Sequence, residues 1–269
     1  MKPTTDELLV HRREGVVEIT FNRPHRHNAF TTAMYIGLLE LFAQLDQDPD
    51  TRVLVLRGAG SVAFAAGNDI SEFAGMTSGA QAVEYEARVR KMLDALLRLP
   101  QVSIAAVDGL CVGGGLGVAT YCDLRLVTGA SRFGYPIART LGNALSRPLL
   151  ERCVHIFGEA LTREMLLASR LIDAERAYAV GAVLPVCPTA EQLERELEAL
   201  IEGVLQAAPM TLRATKQQLL AITESGVDPS TDERLLEHVY SSAGFREGVR
   251  AFLAKEKPRF GEVDKNERA

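Results

Sequence analysis

The chain lacks most of the features that would tie it to a membrane, a metal or a nucleic acid. No uncharged apolar run in its 269 residues approaches the ~18 needed to cross a bilayer. The opening Met1-Lys-Pro-Thr-Thr-Asp-Glu7 has no apolar stretch of the signal-peptide kind, so a cytoplasmic location is expected. Four cysteines (Cys111, Cys122, Cys153 and Cys187) show no C-x-x-C spacing, which argues against a zinc site or a redox pair and for free buried thiols. An excess of positive charge is missing too. The formal net charge is −5, so non-specific nucleic-acid binding is not expected as the main activity. Repeats, low-complexity linkers and long charge runs are all absent. What remains is the ordinary composition of a globular protein, 47% hydrophobic and 24% charged, with enough length for a sizeable core.

Periodicity divides the chain. Leu8 to Arg13 and Val16 to Phe21 read as a hairpin around Glu14-Gly15, and Thr31 to Asp46 carries a helical apolar stripe. Val53 to Leu56 and Val102 to Val107 read as buried strands, Gln81 to Leu99 as an amphipathic helix, and Leu124 to Thr128 as a further strand. Beyond about Leu145 the pattern turns helical. Asp173 is a candidate N-cap for Ala174 to Val180, Val183 to Val186 reads as a short strand, and Glu191 to Gln206, Thr211 to Glu224, Asp232 to Tyr240 and Arg246 to Ala254 read as helices. An α/β core over 1–190 followed by a helical region over 191–269 is expected.

Two glycine-rich stretches carry the chemical signal. Gly113, Gly114 and Gly115 follow the Val102–Val107 strand and open a helix, where the first N–H groups lack intrahelical partners and sit at the positive end of the dipole. A phosphate loop would use the same geometry. However, G-x-G-x-x-G from Gly113 would need glycine at Val118, and there is no G-K-[ST]. Glycines serving helix packing alone are the plainer alternative. A second stretch, Phe64-Ala-Ala-Gly-Asn-Asp-Ile70, also hands a strand over to a turn. Two backbone donors converging on one point would form an oxyanion hole, stabilising charge that develops on a carbonyl oxygen.

The order of these pieces resembles the crotonase family (the enoyl-CoA hydratase/isomerase superfamily). Phe21-Asn-Arg-Pro24 with Asn28-Ala29 is similar to its N-R-P-x-x-x-N-A opening, Phe64-Ala-Ala-Gly-Asn-Asp to F-x-A/S-G-x-D, and Arg132-Phe-Gly-Tyr-Pro136 to its F-G-x-P segment. Cys122-Asp123, Gly158 with Leu161-Thr162, Ile172-Asp-Ala-Glu175, Gly181 and Phe245-Arg-Glu-Gly-Val-Arg-Ala-Phe-Leu-Ala-Lys255 follow in family order. The resemblance implies a spiral of ββα units with a helical C-terminal trimerisation region, assembled as a homotrimer or a dimer of trimers. It implies an acyl-CoA thioester as substrate, coenzyme A being part of that substrate and no separate cofactor or metal being required. The oxyanion donors it implies are the N–H groups of Asn68 and Gly114. By the same resemblance Arg26, Ala66, Asn68, Asp69, Ile70, Gly114 and Lys255 belong to the coenzyme A site. The basic cluster Arg23, His25, Arg26 and His27 lies beside the N-R-P turn, and Lys255 and Lys257 are expected on the C-terminal helix.

The chain departs from the family where hydratases carry two glutamates. Those positions hold Gly117 and Ile137. Neither can activate water or protonate an α-carbon, so standard hydration is in doubt. Tyr135, Arg139 and Glu72 are further acid/base or anion-binding candidates, with Tyr240 a more distant one. Asp69 and Glu72, three apart at a helix start, suggest a variant capping pair. Three readings stay open: enolate chemistry other than hydration, hydration through a displaced residue, and acyl-CoA binding with little or no catalysis.

Overall fold

The computed structural model describes residues 1, 3–75, 78–223, 238 and 240–260. Hairpin strands β1 (Leu8–Arg13) and β2 (Val16–Phe21) pair antiparallel, and β2 then pairs in parallel with β3 (Val53–Gly58). Strands β5 (Val102–Val107) and β7 (Leu124–Val127) complete a five-stranded sheet in the order β1-β2-β3-β5-β7. Its central strands β3 and β5 read as nearly unbroken apolar runs because both their faces are covered, as parallel strands require. Val17, Ile19, Phe21, Leu54, Leu56, Ala105 and Val107 face one core. Val16, Val53, Val55, Val102, Ile104 and Ala106 face another. The first core is roofed by α1 (Thr32–Asp46), α2 (Gly79–Arg98), α3 (Gly114–Tyr121) and α5 (Arg147–Leu167). The second is closed by α7 (Ala190–Gln206), through Leu193, Leu197, Ile201 and Val204. Each fully buried Leu or Ile contributes roughly 1.5–3 kcal/mol.

Helix starts follow their capping chemistry. The Thr31 side chain accepts from the Met34 N–H at 3.1 Å, and Ser78 with Gln81 forms a capping box. Asp173 accepts from the Arg176 N–H at 2.8 Å and caps α6 (Ala174–Ala179), as expected. Helices α8 (Pro209–Thr223) and α9 (Ala243–Ala254) follow α7. The expected Asp232–Tyr240 helix falls mostly outside the described residues. No helix among the described residues is long and apolar enough to cross a membrane.

Two departures from the sequence pattern stand out. A second, four-stranded sheet is built from strands of two to four residues: β4 (Ala63–Ala66), β6 (Leu110–Val112), β8 (Arg132–Gly134) and β9 (Ile172–Asp173). Three of them lie inside segments that read as glycine loops or turns. Conversely, the strand expected at Val183–Val186 does not form. Pro185 lacks an N–H donor, and the segment is held instead by Leu184 N–H to Arg125 O (2.9 Å) and Cys187 N–H to Val127 O (2.9 Å). The buried Arg125 guanidinium donates to the carbonyls of Ala182, Ala119 and Cys122, and burial lowers its pKa to about 10. All four cysteines are free and buried.

Candidate active site

The parallel neighbours β4 and β6 are each followed directly by a glycine, so their C-terminal turns leave the same edge of the small sheet. Gly67 and Gly113 have φ of +92° and +54°, in the region where a side chain would be strained. The turns also touch: a Cβ on Gly113 would stand 3.1 Å from the Gly67 Cα, and one on Gly67 would stand 3.8 Å from the Gly114 nitrogen. Helix α3 starts at this contact and lies directly on β4, where a Cβ on Gly115 would be 2.3 Å from the Ala65 carbonyl.

Hydrogen bonding leaves two donors over at this junction. Gly67 O accepts from Phe30 N–H and Asp69 N–H donates to Phe30 O, each at 2.8 Å, which turns the Asn68 N–H away from that partner. The N–H of Gly114, at the first turn of α3, has no acceptor within the helix. Neither the Asn68 nor the Gly114 N–H makes a hydrogen bond among the described residues. Chemically, two such donors beside a helix N-terminus can polarise a carbonyl.

The Asn68 side chain is held as well. Tyr35, fully buried on α1, donates its hydroxyl to Asn68 Oδ1 at 2.6 Å. Burial pushes the Tyr35 pKa well above its ordinary value, with the charge of nearby groups adding to it. The Tyr85 ring stands edge-on to Tyr35 with centroids 6.2 Å apart. The buried hydroxyls of Tyr85 and Tyr135 find no hydrogen-bond partner among the described residues. Tyr135 lies near α3, its oxygen 4.0 Å from where a Cβ on Gly117 would be, and Leu149 takes the rest of that space. Sequence reasoning missed Tyr35 because it belongs to an apolar helical stripe. The available signal was a hydroxyl on that stripe, which once buried needs a partner.

Other sequence candidates are bound elsewhere. Glu72 is engaged at another point: its Oε2 accepts from the Thr32 N–H (2.7 Å) and Thr32 Oγ1 (2.8 Å), so it serves the N-terminus of α1. The Asp69–Glu72 capping pair is therefore replaced by two separate attachments. Asp69 accepts from Ser71 Oγ (2.7 Å) and Ser71 N–H (3.1 Å) and pairs with Arg23 at 2.8 Å. The Ser71 hydrogen bond, followed by Arg23, lowers its pKa to about 2. Arg23 also pairs with Glu7 at 2.9 Å and donates to Ala29 O, which removes it from the expected phosphate-binding cluster. His25, Arg26 and His27 stay exposed on the same turn, where the Ala66 N–H donates to His27 O at 2.9 Å. Ile70 and Lys255 are exposed as well. Ile137 opens the short α4 (Ile137–Thr140) and packs partly on the core. Arg139 is exposed there and forms no ion pair among the described residues. Tyr240 is exposed, its ring 4.8 Å from Phe245.

A spiral of ββα units that brings two strand-end turns together at a helix N-terminus defines the crotonase class. Comparison with known proteins agrees, since the family model described as enoyl-CoA hydratase/isomerase matches residues 11–264. The chain belongs to this family. It is 33% identical to an enoyl-CoA hydratase/carnithine racemase from Magnetospirillum magneticum, whose crystal structure superposes with a TM-score of 0.89 over 96% of both chains. An enoyl-CoA hydratase of Mycobacterium smegmatis is 27% identical, with a TM-score of 0.87 over 96% of this chain and 100% of that one. Among curated proteins, the mitochondrial enoyl-CoA hydratase domain-containing protein 2 of Homo sapiens is 30% identical over 92% of this chain and 86% of its own length.

Proposed function

We propose that the protein binds an acyl-CoA thioester with its carbonyl oxygen between the N–H groups of Asn68 and Gly114, and stabilises the enolate formed when a proton leaves the α-carbon. The observation that carries this reading is the pair of unpartnered donors at the Gly67–Gly113 contact. Arg26, Ala66, Asp69, Ile70 and Lys255 are the further coenzyme A contacts proposed, Asp69 acting by holding its turn. With glycine and isoleucine at 117 and 137, conventional hydration has no water-activating carboxylate at either position. The same absence favours a second reading, an acyl-CoA-binding protein with little or no catalysis.

A homotrimer or dimer of trimers is part of the proposal, with 191–269 as the oligomerisation region. Its support is the apolar surface of the C-terminal helices, where Leu219, Ile222, Phe245, Val249 and Leu253 are all exposed. The four buried thiols favour a reducing, cytoplasmic setting.

Replacing Gly114 by proline removes one donor and tests the site. The infrared carbonyl band of bound acyl-CoA is expected to move back toward its solution position. An unchanged band in a folded G114P variant would sink the assignment. Retained binding without turnover of any acyl-CoA would favour the binding-protein reading. Sedimentation as a monomer of about 29.3 kDa would remove the oligomer.

A further inference from the structure

The turn that carries the Asn68 donor is held by one short stretch of chain, from Phe30 to Tyr35. Gly67 O and Asn68 N–H belong to one planar peptide unit and point opposite ways. The Phe30 N–H takes that oxygen at 2.8 Å and fixes the plane, and Phe30 O receives the Asp69 N–H at 2.8 Å. Toward α3, Gly67 has no side chain to pack, and the Asn68 amide is what meets Gly114. Tyr35 decides where that amide sits. Its hydroxyl donates to Asn68 Oδ1 at 2.6 Å, the one hydrogen bond of the Asn68 side chain among the described residues. Asn68 is only half-buried, so without this bond its amide is free to turn away, whereas Tyr35 is 1% exposed and cannot follow. The Tyr35 ring is packed from two sides, by Phe30 at a centroid distance of 5.3 Å and by Tyr85 at 6.2 Å. Both oxygens of the pair rest on the second donor residue. A Cβ on Gly114 would stand 2.5 Å from Asn68 Oδ1 and 2.6 Å from the Tyr35 hydroxyl. The pair therefore lies between the Asn68 turn and the first residue of α3, against both donor residues.

We propose that Tyr35 is a positioning residue of this site, whose bond to Asn68 Oδ1 sets the spacing and direction of the Asn68 and Gly114 N–H groups, a role that rests on the acyl-CoA reading above. It acts through those two residues and not on the substrate. Donors fixed in advance need no reorganisation when charge develops on the thioester oxygen. A drifting Asn68 turn therefore weakens the enolate more than the bound thioester, and slows its formation more than it loosens binding. Tyr35 and Asn68 also work only as a pair. Phenylalanine at 35 leaves Asn68 Oδ1 unpaired, and alanine at 68 leaves a buried hydroxyl unpaired.

The test uses the full chain and butyryl-CoA labelled at its carbonyl carbon. Infrared spectroscopy reads the bound carbonyl band, calorimetry the Kd, and NMR in D2O the α-proton exchange that accompanies enolate formation. The band is the deciding readout, whether or not wild type exchanges. Tyr35→Phe keeps the ring and removes the hydroxyl. It is expected to bind with a Kd near wild type and to move the band part of the way back to its solution position. Its α-proton exchange should be about 10–10²-fold slower, the effect of misplacing a group by up to 1 Å. Asn68→Ala keeps the backbone donor, removes the acceptor and should move the band the same way, which decides the matter if Tyr35→Phe does not fold. In the double variant the second change should add little, because both act through one bond. Tyr85→Phe takes a buried hydroxyl from the ring packed on Tyr35 and should leave the band at its wild-type position. An unmoved band in Tyr35→Phe or in Asn68→Ala would overturn the positioning role and leave the acyl-CoA reading intact. An equal shift in Tyr85→Phe would also overturn it, since any loosening of the cluster would then suffice. A wild type that binds no acyl-CoA, or binds it with the band at its solution position, would remove the oxyanion reading itself, and the role of Tyr35 with it.

Discussion

Adding one methyl group at Gly114 is the most direct probe of how the junction is built. A Cβ there would lie 2.5 Å from Asn68 Oδ1 and 2.6 Å from the Tyr35 hydroxyl. Reaching the 3.4 Å of ordinary contact needs a shift of about 0.9 Å at Asn68, which separates it from Tyr35. Tyr35 is fully buried and cannot follow into solvent. Leaving its hydroxyl unpaired costs about 1–3 kcal/mol. The intrinsic helix gain of alanine over glycine returns about 0.5–1 kcal/mol. A net loss of about 1–2 kcal/mol is expected, equivalent to a Tm roughly 2–8 °C lower for a chain of this size. Gly117→Ala is the internal control, because its Cβ meets nothing nearer than Leu149 at 3.4 Å and the same helix gain applies. It should melt at or above wild type. Tyr35→Phe combined with Gly114→Ala removes one of the two collisions, so the double variant should be more stable than the sum of the singles indicates. Thermal unfolding followed by circular dichroism reads all four proteins. Should Gly114→Ala melt at or above wild type, or Gly117→Ala lose more than Gly114→Ala, the packing argument fails.

Three further outcomes are expected. Glu72→Gln should lower stability by about 0.5–2 kcal/mol through the weakened start of α1, measured by urea unfolding, while α-proton exchange persists; loss of exchange at full stability would return Glu72 to the chemistry. Crotonyl-CoA hydration by wild type should stay near background and rise when Gly117→Glu and Ile137→Glu are combined, monitored by loss of the enoyl absorbance; efficient wild-type hydration would contradict this. Asp69 has its pKa lowered from 3.8 to about 2 by Ser71 and Arg23, so the stability it adds is complete above pH 4 and fades as pH falls toward 2. Denaturation midpoints of wild type and Asp69→Asn should accordingly converge between pH 4 and pH 2, and a pH-independent gap would refute the linkage.

Much of the scaffold was legible in the residues. The hairpin at Glu14-Gly15, the buried runs at Val53 and Val102, and the Asp173 cap each follow from local pattern, because a turn, a doubly covered strand and a capping side chain are each set within a few residues. The small sheet was not legible. Strands of two to four residues are too short to show alternation, and they are strands only because their neighbours in the sheet supply the hydrogen bonds. Val183–Val186 erred in the other direction, since apolar β-branched residues cannot extend a ladder through Pro185.

The roles of polar side chains divide the same way. The glycine stretches and the missing glutamates at 117 and 137 were plain in the sequence, as was the resemblance they support. That Tyr35 would hold Asn68, 33 residues away, was not. Nor was the attachment of Glu72 to Thr32 or the loss of Arg23 to Glu7 and Asp69. The sequence by itself determined where the elements run and which segments carry bare backbone donors, because periodicity and glycine act within a few residues. Tertiary structure alone decided which carboxylates are consumed in caps and ion pairs. Those pairings depend on how α1 and α2 pack over the sheet, which no local pattern encodes.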